Sequence, residues 1–106
     1  MQEISATDAA NRLTNDPDNT ILLDVRELAE LQVASVAGAL HIPMGQIPQR
    51  LTELDAAKTI ICMCHIGGRS AQVAAFLEAR GFGDAINLAG GIEAWSETVD
   101  ASVPRY

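Results

Sequence analysis

Cysteine is scarce in this chain, with two among 106 residues, and both fall in Cys62-Met63-Cys64. On a strand that spacing points both side chains the same way, which suits neither a zinc site nor an easy disulfide. Reduced thiols are therefore expected. Basic residues are few as well: seven Lys and Arg, scattered singly, stand against fourteen Asp and Glu, for a formal net charge of −7. A chain so charged has no face to track phosphates, so nucleic acid is not expected as a partner. No apolar run approaches the roughly 20 residues that span a bilayer. Met1-Gln2-Glu3-Ile4-Ser5 lacks the basic-then-apolar plan of a signal peptide. The expectation is a cytoplasmic protein without a membrane partner. Internal repeats, low-complexity tracts and linkers are also missing.

The 48% hydrophobic content suffices for one ordinary core at this length. A single domain over residues 1–106 is expected, with a core over about 1–99. Residues 100–106 form a tail without clear pattern. Ser5-Ala6-Thr7-Asp8 has the form of a helix N-cap, and the helix it opens is expected to run to about Leu13. The turn cluster Asn15 to Asn19 precedes Thr20-Ile21-Leu22-Leu23, whose lack of alternation predicts a strand covered on both faces. Leu28 to Val33 reads as helical, Leu40-His41-Ile42 as a brief strand, and about Ile47 to Leu54 as another helix. Thr59 to Met63 is a second buried strand. Ser70 to Arg80 carries Val73, Phe76 and Leu77 at helical spacing, with Gly81 placed for the C-terminal cap. Ala85 to Leu88 is a last strand, and Gly90-Gly91 leads to a helix containing Trp95. Apolar strands alternating with helices predict an α/β fold with a mostly parallel central sheet and helices on both faces. Ligands of such sheets gather beyond the carboxyl ends of the strands, where Cys64 lies.

Cys64-His65-Ile66-Gly67-Gly68-Arg69-Ser70 joins a buried strand to a helix. Loop amides, the helix N-terminus and the cation of Arg69 can converge on the sulfur and favour its thiolate. Gly67 and Gly68 can take positive φ without a Cβ clash, which lets the loop curl with its N–H groups facing inward, where a packed side chain would block the cradle.

These residues resemble the active-site loop of the rhodanese family. Asp24-Val25-Arg26-Glu27, Gly38-Ala39-Leu40-His41-Ile42-Pro43 and Gly90-Gly91-Ile92-Glu93-Ala94-Trp95 match further family segments in the same order. The stretch Ala34-Ser35-Val36-Ala37 departs from the family, placing Ser35 where a histidine is usual. The resemblance implies a sulfurtransferase with no metal or organic cofactor. Cys64 would take sulfane sulfur from a small anionic donor such as thiosulfate and pass it, as a persulfide, to a thiophilic acceptor: cyanide, a thiol or a protein. A thioredoxin-like or other sulfur-relay protein is an expected kind of partner. A second reading is a persulfide carrier or sulfide-sensing module acting only with a protein partner. A third, a small phosphatase or arsenate reductase, fits less well, because those enzymes carry Cys-x5-Arg and here only four residues separate Cys64 from Arg69.

Each residue also has a plainer role. Cys62 reads as a small core hydrophobe. Arg69 is favoured as an anchor for a donor oxygen over a mere surface ion pair. His65 is expected to contribute its amide more than its imidazole, and Ser70 to act first as a helix N-cap. Asp24 and Arg26 are expected to be structural, the carboxylate on loop amides and the guanidinium pairing nearby. His41, Gly90, Gly91 and Trp95 read as strand-end, turn and packing residues.

Overall fold

The computed structural model describes residues 2–106; Met1, at the start of the expected domain span, lies outside the described residues. The elements run β1 (Gln2–Ile4), α1 (Ala6–Asn15), β2 (Thr20–Asp24), α2 (Leu28–Val33), β3 (Leu40–His41), β4 (Thr59–Met63), α3 (Gly68–Ala79), β5 (Ala85–Leu88) and α4 (Gly91–Thr98). All strand pairings are parallel, in the order β1-β5-β4-β2-β3. The fold is α/β with helices on both faces, as the sequence pattern predicts.

Central strand β4 shows how the layers form. Ile60 and Cys62 face a core cluster with Val73, Ala74 and Leu77 of α3, while Ile61 and Met63 face the opposite cluster with Ala6 and Ala9 of α1 and Ile92 and Trp95 of α4. Every residue of β4 is buried, which explains a continuous apolar run instead of alternation. No helix among the described residues is long and apolar enough to cross a membrane.

Several elements differ from expectation. The edge strand β1 has no strand pattern of its own; Glu3 lies opposite Asn87 of β5, so pairing with the sheet makes it a strand. α1 runs on to Asn15, two residues past the expected end, and its Arg12 reaches Thr59 Oγ1 at 2.8 Å. The helix expected over Ile47 to Leu54 is instead a 3-10 segment, Pro48–Glu53, kinked where Arg50 takes φ −115°. Ile47 and Leu54 still bury at its two ends, so the apolar spacing that suggested a helix is met by tight turns.

The tail is packed. Val103 is buried, Ser96 Oγ donates to its carbonyl at 2.6 Å, and Tyr106 reaches the far end of β4.

Candidate active site

β4 ends at Met63, and Cys64 follows on the face that Cys62 occupies, as the spacing of the two thiols requires. Cys64 is 1% exposed. Its Sγ accepts a hydrogen bond from the Gly67 N–H at 3.1 Å and another from Ser70 Oγ at 3.2 Å. Burial opposes ionisation, but the Ser70 hydroxyl and the N–H groups of Ser70, Gly67 and Arg69 outweigh it and hold the Cys64 thiol below its ordinary value. Cys62 has no such donors; burial, and then the neighbouring Cys64, push it up to about 12.

The loop geometry revises three expectations. Gly67 takes φ +117° and caps α3, but Gly68 is already the first residue of that helix and does not take positive φ. A Cβ at Gly68 would meet open space, and one at Gly67 only ordinary contacts, so backbone conformation, not blockage of the cradle, is what asks for glycine at 67. Because α3 begins earlier than expected, Ser70 is not its N-cap. Ser70 is fully buried with its hydroxyl between Cys64 Sγ at 3.2 Å and Asn87 Oδ1 at 2.6 Å, two acceptors that share its single proton in turn. Arg69 does not point a free guanidinium at the loop: its two terminal nitrogens fork onto Glu30 at 2.7 and 2.8 Å.

The remaining predicted residues surround this centre. Arg26 is wholly buried and bidentate on Asp24, with the Ala34 carbonyl at 2.8 Å and the Tyr106 hydroxyl at 2.9 Å. Asp24 also accepts the Arg26 N–H, so each of the two holds the other in place. His41 Nε2 sits 2.6 Å from the Arg26 carbonyl oxygen and fixes that peptide. Ile66 stands at the loop with its side chain two-thirds exposed. The His65 imidazole stacks on Tyr106, ring centroids 3.9 Å apart, with Nε2 3.8 Å from Glu93.

Sequence reasoning missed Asn87, Glu30, Tyr106 and the close approach at Gly91. Asn87 Nδ2 donates to Glu3 and to the Gly67 carbonyl, which leaves its Oδ1 facing Ser70. At Gly91 the amides that open α4 hold the loop: Ile92 N–H donates to the Cys64 carbonyl and Glu93 N–H to that of His65. A Cβ on Gly91 would collide with both carbonyl groups, and its φ is +57°. Only the Gly90-Gly91 pair offered a signal in the sequence.

The Rhodanese-like domain family model matches residues 5–98. The chain belongs to that family. Among curated relatives, the "Sulfurtransferase" of Allochromatium vinosum is 35% identical over 96 residues, covering 91% of this chain and 89% of that one. The chloroplastic "Rhodanese-like/PpiC domain-containing protein 12" of Arabidopsis thaliana is 40% identical over 93 residues, covering 84% of this chain and 31% of that protein. The rhodanese-like chain thus spans nearly all of the first relative and about a third of the second. Among solved structures, a rhodanese-like domain protein from Staphylococcus aureus superposes with a TM-score of 0.84 at 31% identity, covering 100% of this chain and 99% of that one. The family and its sulfurtransferase-named member support sulfur transfer as the class of activity here.

Proposed function

We propose that this rhodanese-like chain moves sulfane sulfur from a donor to a thiophilic acceptor through a persulfide on Cys64, and that residues 2–106 act as one domain in doing so. The observation that carries the reading is the sulfur of Cys64, buried yet held by the Gly67 amide and the Ser70 hydroxyl in an arrangement that favours its anion. A thiolate so placed attacks the outer sulfur of a donor, forming the Cys64–sulfur bond while the donor's sulfur–sulfur bond breaks. With thiosulfate the departing group is sulfite, a stable anion, so no external base is required. The same amides and hydroxyl then hold the persulfide anion until an acceptor takes its terminal sulfur. In a phosphatase the loop arginine must face the oxyanion, whereas Arg69 here is turned to Glu30.

The test is intact mass before and after thiosulfate or a persulfide donor, and again after cyanide, for wild type and Cys64→Ser. The expected result is a gain of about 32 Da, one sulfur, that cyanide reverses and that Cys64→Ser does not show. A gain retained by Cys64→Ser would overturn the mechanism.

A further inference from the structure

We propose that Glu30 sets the donor class of this site: by holding Arg69 it favours sulfane sulfur carried on a neutral or cationic thiol over the dianion thiosulfate. The inference rests on the sulfurtransferase reading above and adds to it the chemistry of the preferred donor.

The Glu30 carboxylate is fully engaged. Oε2 accepts from Arg69 at 2.7 Å and from the Glu27 N–H at 3.0 Å; Oε1 accepts from Arg69 at 2.8 Å and from the Tyr106 hydroxyl at 2.9 Å. The Arg69 fork, against partial burial and with help from Glu27 and Tyr106, drives this carboxyl to about 2, so it stays ionised wherever the protein is folded and working. Tyr106 is in turn held by Arg26, which is itself fixed on Asp24. The pair is therefore braced from α2, from the segment after β2 and from the residues after α4.

The consequence is electrostatic. Each arginine around the Cys64 loop is already paired: Arg26 with Asp24, Arg69 with Glu30, and Arg105 with Glu93 and Glu97. Those three groups hold one more carboxylate than guanidinium, in a chain of net charge −7. The loop donors, meanwhile, are aimed at the sulfur itself. Thiosulfate reacting with the Cys64 thiolate brings three negative charges together with no unpaired guanidinium to receive its sulfonate. A perthiol is attacked in its protonated form, which brings none of its own: RSSH and the Cys64 thiolate give RSH and the Cys64 persulfide anion, the perthiol proton leaving on the departing thiol. A donor whose thiol also carries an ammonium group gains from the carboxylate excess.

The experiment measures the rate of sulfur loading on Cys64 by quenched intact mass across a concentration series of three donors. These are thiosulfate, a dianion; methanethiosulfonate, a monoanion; and cysteamine persulfide, which carries an ammonium group. Proteins compared are wild type, Glu30→Gln, and Glu30→Gln combined with Arg69→Gln. Gln keeps the shape of Glu30 and still accepts from Glu27, and the charge it removes should raise loading from thiosulfate about tenfold and from methanethiosulfonate about threefold at low salt. The gain should come from a lower half-saturating concentration, not a higher limiting rate, and cysteamine persulfide should load no faster. Removing Arg69 as well should return the thiosulfate rate to near that of wild type. Tyr106→Phe, which removes one bond to Glu30 and no charge, should move thiosulfate the same way by about twofold. Equal change for all three donors, or a thiosulfate gain that survives loss of Arg69, overturns the assignment to Glu30 while leaving Cys64 chemistry intact. Wild-type protein that takes sulfur from none of the donors overturns the sulfurtransferase reading, and this one with it.

Discussion

Cys62 and Cys64 share a strand face and are both buried, yet they are driven in opposite directions, one up to about 12 and the other below the ordinary thiol value of 9.0. Burial is the largest influence on each, and it acts the same way on both. What separates them is two residues of chain. Within β4 the backbone N–H groups are committed to neighbouring strands, so none is free for the Cys62 sulfur. Past the strand's end the amides at the head of α3 have no partner of their own, and they turn to Cys64. Thiol acidity here is a property of where the sheet stops, not of the amino acid.

That contrast can be broken in several ways, the largest effect first. At pH 7.5 iodoacetamide should label Cys64 at least about a thousandfold faster than Cys62, because only the thiolate reacts; peptide mapping after brief exposure reads both sites. Comparable labelling of the two in folded protein would mean that the donors around Cys64 count for little. Gly91→Ala should cost about 3 kcal/mol or more in urea unfolding, since it adds left-handed strain and a collision with the carbonyls of Cys64 and His65.

Cys62→Ser should cost about 1–3 kcal/mol, through a buried hydroxyl without a partner, and leave sulfur loading within about threefold of wild type. The same substitution bears on pH. Above 9.0 the unfolded Cys62 thiol ionises while the native one, at about 12, does not, so wild-type stability should fall as pH rises through that window. Cys64 runs the other way: its folded thiol ionises first, so its contribution is complete above 9.0 and is lost as pH falls through the folded value. Urea midpoints from pH 7 to 11 should therefore fall less steeply at the alkaline end in Cys62→Ser than in wild type. The smallest effect is Ser70→Ala, which should raise the Cys64 pKa by removing the hydroxyl donor, read from the pH dependence of alkylation.

The parts of this site legible in the sequence were those that depend on local chain direction. A buried apolar run, a glycine loop and a helix start sufficed to place Cys64 at the end of β4, and the i, i+2 spacing fixed Cys62 on the same face. Long-range partners were not legible. Nothing near Arg69 in sequence indicates Glu30, 39 positions earlier, and nothing near Ser70 indicates Asn87. Tyr106, in a segment without periodicity, is held by an aromatic stack and two hydroxyl contacts that leave no repeating trace. The helix expected over Ile47 to Leu54 failed for a related reason: spacing reports which residues bury, and tight turns can satisfy it as well as a helix.

The parallel pairing of β1 with β5 also has a bearing on timing. At about 5–20 residues per second of synthesis, Gln2–Ile4 wait on the order of ten seconds for their partner strand. The pieces that hold the reactive loop are late arrivals too: Asn87, and the α4 amides on the carbonyls of Cys64 and His65, are made more than twenty residues after the sulfur they serve. While the chain is emerging, Cys64 is an ordinary thiol, mostly protonated at neutral pH. The nascent sulfur thus stays an ordinary thiol until the head of α3 gathers on it, and the last helix made is the one that fastens the loop from behind.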